Sequence, residues 1–496
     1  MIPVSAGLSL RARVARSMFW ITWSRGVLQV LSFATTLLVA RILVPADYGV
    51  MALAGFWTGT AGMLAEMGFG AAIIQFHDLE AREIDTCFWI TITLAIMGFA
   101  ALALGAPIIA RWFDVPRLAD VLPVLALVLP LTACNVVSDS LLRRRVALDR
   151  VAQAEVIGGV ATLPVVLGCA LAGLGVWSLV IGSLLAPAVR SVATFAYAPW
   201  CPGVRLGGGR VREMIHFSLR SLGVKVLWVL REWSNTLVIG KVTGSVTLGF
   251  YSMAEELALL PGSKISTVVN MLSSPMMAEL QTNIDAMRAA FYRALRLTAA
   301  IAFPTSAGMV LVAEDMVAAL LGPKWLPSVP LLRLLCFYAA VRAIDVLLPP
   351  VLFAKRKETF LFWYCLAQLI AVPAAAVVGG LWGGAPGVIV FSTPMYSAFM
   401  LMMAKEALAE MKGSFFECWS QIWPILAATA AMAAVVLVLQ DFAVAELPGS
   451  AWVRLVFLSV SGAMTYGAAL FAIGSPVIDE GVEVVGWILR RRNADI

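Results

Sequence analysis

Long apolar runs recur from Met18 to about residue 474 and are separated by short polar connections. Most of them reach the roughly 20 residues that an α-helix needs to cross about 30 Å of hydrocarbon. Backbone groups in lipid must bond within their own segment, so runs of this length predict helices rather than barrel strands. The chain is 61% hydrophobic and 13% charged, whereas soluble domains are about half apolar and a quarter charged. The sequence therefore predicts an all-α integral membrane protein.

Apolar windows along the chain predict about fourteen transmembrane helices. They are placed near residues 18–41, 48–75, 86–110, 118–141, 152–173, 175–198, 214–240, 247–273, 292–314, 328–350, 360–380, 385–404, 418–439 and 452–474. The connections between these spans are short throughout. No large extramembrane domain is expected.

The distribution of cations predicts the orientation of the chain. With the N-terminus in the cytoplasm, 22 of the 36 Lys and Arg residues fall on the cytoplasmic side, and 6 fall on the outer side. This asymmetry predicts that both termini are cytoplasmic and that the number of spans is even. The net charge of +6 is thus explained by membrane topology, and no nucleic-acid partner is expected.

An internal repeat divides the chain. The segment LVARILVPADYGVMALA at 38–54 resembles LVIGKVTGSVTLGFYSMA at 237–254, and each segment ends one span and begins the next. Parallel repeats of this kind are common in secondary transporters. The predicted organisation is a cytoplasmic tail (1–17), an N-lobe of six spans (18–200), a glycine-bearing cytoplasmic linker (201–213), a C-lobe of six spans (214–405), two further spans (418–474) and a cytoplasmic tail (475–496).

The first hairpin resembles that of a known family. The first span ends in Ala-Arg-x-Leu, and the turn after it contains a proline, an aromatic residue and a glycine. An acidic-x-Gly-aromatic-Gly run ending in Gln follows. Together these features resemble the Wzx-type polysaccharide flippases of the MOP superfamily. The positions that carry the resemblance are Ala40, Arg41, Leu43, Pro45, Tyr48, Gly49, Glu66, Gly68, Phe69, Gly70 and Gln75.

The resemblance implies two six-helix lobes in a V around a central cavity, working by alternating access in the bacterial inner membrane. It implies that the substrate is an oligosaccharide linked to undecaprenyl pyrophosphate. The expected surroundings are membrane lipids, with a polysaccharide polymerase and its chain-length machinery as further partners. No enzymatic activity is expected of the chain.

Charges inside the predicted spans are the candidate site. A lone cation at the bilayer centre costs about 2.5–3.5 kcal/mol, so such residues are expected to face a wet cavity, pair with acids or reach an interface. A diphosphate needs several positive donors, and the candidates to bind it are Arg25, Lys225, Arg231, Arg220, Lys264, Arg333 and Arg342. Arg25 and Lys225 are the strongest of these. A structural pair with Glu232 is the alternative for Arg231, as is a pair with Asp345 for Arg342.

The sequence contains no nucleotide-binding motif, so no cofactor is expected and a proton or sodium gradient is the expected energy source. Glu66, Glu255 and Asp345 are the candidate coupling carboxylates. The two histidines, His77 and His216, have no companion ligands at metal-binding spacing, and no metal site is expected.

Two other functions remain open from the sequence. A multidrug exporter of the same superfamily, coupled to a cation gradient as in the MATE group, would have an acidic cavity suited to organic cations. A polysaccharide polymerase or ligase would need a sizeable outward loop with catalytic residues, and the predicted outward loops are short. The cations in the spans favour an anionic substrate over the organic cations of a multidrug exporter, and the short outward loops argue against the enzyme.

Overall fold

The computed structural model describes residues 26, 31–76, 79–145, 147–204, 207–446, 451–474 and 476–477. At residues 217, 220, 221, 224, 225, 228, 263–275 and 442–446 it describes the backbone alone. The predicted N-terminal tail lies outside the described residues, as do all but two residues of the predicted C-terminal tail.

Every regular element in the described part of the chain is helical. The helices are α1 (Leu31–Ile42), α2 (Pro45–Glu66), α3 (Phe69–Gln75), α4 (Ala81–Phe113), α5 (Leu118–Leu125), α6 (Val128–Arg144), α7 (Leu148–Leu171), α8 (Val176–Tyr197), α9 (Val211–Glu232), α10 (Ser234–Glu279), α11 (Ile284–Leu311), α12 (Ala313–Leu320), α13 (Val329–Asp345), α14 (Leu348–Ala354), α15 (Glu358–Glu410), α16 (Phe415–Glu446) and α17 (Ala451–Ile473). Short 3₁₀ helices lie at Leu280–Thr282 and Pro323–Ser328.

The helices have the length and surface of membrane spans. Nine helical stretches in the described residues are long and apolar enough to cross a membrane. Large apolar side chains also face outward, and Leu104, Ile108 and Phe471 are 81%, 67% and 78% exposed. Soluble proteins rarely present such surfaces in continuous patches, because water penalises them. The prediction of a helical, multi-pass membrane protein is confirmed.

Several helices are interrupted where the backbone leaves helical geometry. Gly244 (φ 81°) breaks α10, and Gly383 and Gly384 break α15, close to the predicted ends of spans. The predicted span 48–75 differs, because Met67 and Gly68 adopt φ values of 48° and 78° and separate α2 from α3. The left-handed region costs little for Gly68, but Met67 carries a Cβ and pays for it. One apolar run therefore forms two helices.

The described chain forms two compact units, one ending at Gly249 and the other beginning at Phe250. In the first unit, α7 packs along α8, and α4 packs against α5 and α6. Its core includes Phe69, Ile73, Cys87 and Val137, together with Met214 of α9. These buried side chains pack the N-terminal parts of α4 and α9 against α3 and α6.

In the second unit, α11 packs against α13 and α16, and α16 packs along α17. Met287, Phe291, Val351, Leu352 and Ala407 lie in its core. The last helix is tied to α12, since Arg454 Nη2 lies 2.8 Å from Asp315 Oδ1. The two C-terminal helices thus belong to the second unit.

Candidate functional site

A cluster of four charges joins three helices inside the first unit. Arg190 of α8 donates from Nη2 to Asp139 Oδ1 of α6 over 2.9 Å and lies 3.4 Å from Glu155 Oε1 of α7. Arg143 donates from Nε to the other carboxylate oxygen of Asp139 over 2.6 Å. We call Asp139, Arg143, Glu155 and Arg190 the Arg190 cluster. It holds two cations and two anions, so its formal charges cancel.

A cavity of about 580 Å³ lies beside the cluster, among α1, α7 and α8. Its lining combines one ion pair with hydroxyl side chains. The polar residues are Ser32, Thr35, Thr36, Glu155, Thr162, Ser183 and Arg190. We call it the α1–α7–α8 cavity. Its volume lies in the range of about 300–1,000 Å³ that is typical of small-molecule sites.

Glycines bring α7 and α8 together at this cavity. A Cβ added at Gly158 would lie 2.8 Å from the carbonyl oxygen of Ala186, and one at Gly182 would overlap the side chain of Val166. Only glycine permits this approach, as in close helix pairs within membranes. The close packing positions Glu155 and Arg190, which lie about one turn from the contact between Gly158 and Ala186.

The second unit contains a separate polar cluster. Tyr396 of α15 donates its hydroxyl proton to Asp345 Oδ2 over 2.6 Å, and its ring packs 5.2 Å from that of Tyr338. Arg342 Nη1 lies 3.5 Å from the hydroxyl of Tyr338, which is at the limit of a hydrogen bond. Arg342 and Asp345, both predicted from the sequence, therefore each contact one member of a packed pair of tyrosines.

The structure places other predicted residues at separate positions. Arg231 is buried at 8% side-chain exposure and pairs with Glu232 over 3.0 Å, which agrees with the structural-pair alternative. Arg333 is exposed, with Nε 3.4 Å from the carbonyl oxygen of Val310.

The remaining predicted acids have short-range neighbours on their own helices or close by. Glu255 accepts a hydrogen bond from Tyr251 over 2.8 Å. Glu66 is exposed at the end of α2, and its Oε1 lies 3.1 Å from where a Cβ of Gly70 would be. Neither acid is part of the Arg190 cluster.

Four predicted cations fall where the structure gives no side-chain position. Arg25 lies outside the described residues, and the side chains of Arg220, Lys225 and Lys264 are not described. Their role as pyrophosphate ligands, with Arg25 and Lys225 as the strongest candidates, stays a prediction.

No member of the Arg190 cluster is among the candidates predicted from the sequence. Asp139, Glu155 and Arg190 nevertheless lie inside predicted spans. The signal that could have found them is the presence of both signs of charge in three neighbouring apolar runs, because buried charges are usually paired.

The predicted linker is attached to the start of α4. The indole Nε1 of Trp89 donates to the carbonyl oxygen of Gly203 over 2.9 Å, and Glu83 Oε1 accepts from the backbone N–H of Arg210 over 3.0 Å. The backbone N–H of Gly207 also donates to Thr86 over 2.9 Å. Gly208 allows the linker to approach α4 closely, because a Cβ at this position would overlap the side chain of Glu83.

The hairpin that carries the family resemblance also forms a close backbone contact. A Cβ added at Gly49 would overlap the carbonyl group of Ser245, and one at Gly249 would overlap the carbonyl group of Pro45. The repeated motif thus places its two glycines against each other.

Comparison with known proteins gives the family. Residues 38–330 match the model of the family described as polysaccharide biosynthesis protein. The chain belongs to this family. The match begins in α1 and includes the hairpin and both repeats of the motif, which confirms the relationship predicted from that hairpin.

Relatives and a solved structure agree with the assignment to this polysaccharide biosynthesis family. The chain is 24% identical over 389 residues to the lipopolysaccharide biosynthesis protein WzxC of Escherichia coli, covering 77% of this chain and 78% of the relative. It is 25% identical over 371 residues to the succinoglycan biosynthesis transport protein ExoT of Rhizobium meliloti, covering 75% of each. The lipid II flippase MurJ in an inward closed conformation shares the fold, with a TM-score of 0.72 at 11% identity over 90% of this chain and 97% of MurJ.

Proposed function

We propose that this protein is a secondary transporter that moves undecaprenyl-pyrophosphate-linked oligosaccharides across the bacterial inner membrane. The exported units would serve the synthesis of O-antigen, capsule or exopolysaccharide. The observation that carries the proposal is the family match over residues 38–330, in a chain whose described helices form a multi-pass membrane protein. Relatives named for lipopolysaccharide and succinoglycan synthesis support it.

The proposed architecture has fourteen spans, arranged as two six-helix halves followed by two C-terminal helices, with both termini in the cytoplasm. The internal repeat and the excess of cations on the predicted cytoplasmic side support it. Alternating access would then carry the headgroup through a polar route while the prenyl tail stays in the bilayer. A route of this kind removes the cost of taking a diphosphate through hydrocarbon.

The pyrophosphate is proposed to bind cations of the spans, with Arg25 and Lys225 as its main ligands. Both residues lie in otherwise apolar runs, where an unpaired charge is expensive unless it faces water or an anion. Arg231 is the weaker candidate, because Glu232 already lies 3.0 Å from its guanidinium group. A guanidinium or ammonium group beside a phosphate forms charge-assisted hydrogen bonds.

Energy is proposed to come from a proton or sodium gradient, and no cofactor is required. Asp345 is the coupling candidate with the clearest surroundings, since Tyr396 donates to it over 2.6 Å. Glu66 and Glu255 remain further candidates. A polysaccharide polymerase with its chain-length machinery is the proposed consumer of the exported unit.

The test is the leaflet on which the lipid-linked oligosaccharide accumulates after deletion of the gene. A flippase defect traps the unit on the cytoplasmic leaflet. Accumulation of single, unpolymerised units on the periplasmic leaflet would instead identify a polymerase and refute the proposal. Unchanged export combined with sensitivity to organic cations would identify a multidrug exporter.

The cation assignment needs a separate experiment. We expect the double variant Arg25→Ala, Lys225→Ala to reach the membrane at the normal level and to lose export. Arg82→Ala is the matched control, since Arg82 is an exposed cation paired with Glu80. Normal export by the double variant would remove Arg25 and Lys225 from the site and leave the transport function itself intact.

A further inference from the structure

We infer that the α1–α7–α8 cavity binds uncharged sugar rings of the translocated headgroup and that the pyrophosphate binds elsewhere. This inference rests on the proposed function and specifies which part of the substrate enters the first unit. It concerns the hydroxyl groups of Thr35, Thr162 and Ser183 and the guanidinium group of Arg190.

The charge balance argues against a diphosphate in this cavity. Arg190 lies 2.9 Å from Asp139 and 3.4 Å from Glu155, so its positive charge is already compensated. Glu155 itself lines the cavity and would repel a phosphate group at close range. A neutral ligand avoids this repulsion.

The hydroxyl groups of the cavity are arranged as acceptors. Thr35 donates to the carbonyl oxygen of Leu31 over 2.8 Å, Thr162 to that of Gly158 over 2.7 Å, and Ser183 to that of Leu179 over 2.9 Å. Each hydroxyl proton is therefore used within its own helix, while the lone pairs of the oxygen remain available. A ligand for these oxygens must supply hydrogen-bond donors, as sugar hydroxyl groups do.

Arg190 supplies hydrogen-bond donors, whereas these hydroxyl oxygens act as acceptors. Its Nε is buried and has no hydrogen-bond partner among the described residues. Nε itself has almost no accessible surface, but the side chain lines the cavity and is 32% exposed, so other N–H groups of the guanidinium can donate to a ligand oxygen. Sugar hydroxyl and ring oxygens are such acceptors. Donors and acceptors side by side match a saccharide better than a simple cation or anion.

The remaining walls are aliphatic. Leu31, Leu163, Val166 and Leu179 contribute apolar surface, and Pro187 lies among them. Sugar rings have apolar C–H faces as well as hydroxyl edges. Small-molecule sites commonly combine mostly apolar walls with a few polar groups that fix orientation. The volume of about 580 Å³ also leaves room for a group larger than an ion.

The test compares binding of two probes to the full-length protein in nanodiscs. One probe is undecaprenyl pyrophosphate without sugar. The other is the undecaprenyl-pyrophosphate-linked oligosaccharide extracted from a strain that lacks this protein. For Thr162→Val we expect a roughly threefold to tenfold weaker affinity for the sugar-bearing probe, as for the loss of one hydrogen bond, and an unchanged affinity for the sugar-free probe. Thr162→Ser, which restores the hydroxyl group, should restore the affinity.

The matched control is Thr132→Val. Thr132 makes the same type of bond, to the carbonyl oxygen of Val128 over 2.9 Å, but it is exposed on α6 and does not line the cavity. Its substitution should leave both affinities unchanged.

Two results would overturn the inference. Thr162→Val could leave both affinities unchanged, or it could weaken both to the same degree. Failure of the proposed function would look different, because the wild-type protein itself would then bind neither probe.

Discussion

Gly49 of α2 and Gly249 of α10 pack against each other reciprocally. A Cβ on Gly49 would overlap the carbonyl group of Ser245, and a Cβ on Gly249 would overlap that of Pro45. The two contacts are related by the internal repeat, since Gly49 corresponds to Gly249 and Pro45 to Ser245 at the same offset. The repeated motif therefore preserves a site where two helix backbones meet without side chains between them.

Gly49→Ala is expected to lower stability by about 1–3 kcal/mol, the usual cost of overpacking. Gly59→Ala on the same helix is the control, because a Cβ at Gly59 meets nothing within 4 Å. The control should be neutral or more stable by up to about 1 kcal/mol, since alanine favours helix. Thermal unfolding in detergent measures both. Equal melting temperatures for the two variants would show that the close contact is absent.

Arg190→Ala is expected to destabilise the first unit. The expected loss is about 2–3 kcal/mol, which is below the range of about 3–5 kcal/mol for a fully buried pair, because the arginine side chain is 32% exposed. The double variant Glu155→Ala, Arg190→Ala should lose less than the sum of its single variants, by about 1 kcal/mol, because an uncompensated carboxylate is removed as well.

The control for this pair is Arg82→Ala, which breaks an exposed bridge to Glu80 whose partners are both 59% exposed. Its effect should be under about 0.5 kcal/mol. Strictly additive losses for Glu155 and Arg190 in chemical unfolding would contradict the observed ion pair.

Glu83→Ala is expected to release the linker from α4. The Glu83 side chain is buried and accepts backbone N–H groups from Glu80 and Arg210, each over 3.0 Å. Loss of a hydrogen bond to a charged group costs about 1.5–3 kcal/mol, so local opening should rise by about tenfold or more. Limited proteolysis within 201–213 reports this opening. A cleavage rate equal to that of wild type would show that Glu83 does not hold the linker.

Lys357 provides a test of pH dependence. Its Nζ lies 2.8 Å from a carboxylate oxygen of Glu410 and 2.9 Å from one of Glu406. The hydrogen bond to Glu410 has the largest effect and the bond to Glu406 the next, and both raise the pKa of Lys357 above its usual value. A raised lysine pKa contributes stability that is complete below the unfolded pKa of about 10.4 and is lost as the pH rises through the folded pKa.

The difference in melting temperature between wild type and Lys357→Gln should therefore be the same at pH 7 and pH 9. It should shrink only above about pH 10.4, where the unfolded lysine loses its proton. A difference that already declines between pH 7 and pH 9 would show that the two glutamates do not hold the ammonium group in solution.

The helices of the described chain could be predicted from the sequence, because hydrocarbon requires long, self-bonded apolar segments. Residue-level breaks were harder to predict. The break at Met67 and Gly68 lies inside a continuous apolar run, and hydropathy does not report φ. The resemblance of the 38–75 hairpin to the flippase family could be read directly, since its glycines and proline stand at fixed spacing.

The candidate site was only partly accessible to sequence reasoning. Arg231 with Glu232 could be anticipated because the two residues are adjacent. Arg190 with Asp139 could not, because the partners are 51 residues apart and lie on different helices. Helical periodicity places a charge on one face of its own helix, but it does not say which neighbouring helix that face meets.

By itself, the amino-acid sequence determined that this chain is a helical membrane protein of the polysaccharide biosynthesis family with charges inside its spans. The tertiary structure alone decided that Arg190 is compensated by Asp139 and Glu155 beside a hydroxyl-lined cavity. The physical reason is that bilayer thickness and backbone hydrogen bonding act along each helix. The partner of a buried charge depends instead on how helices rotate and pack, down to contacts such as that of Gly158 with Ala186.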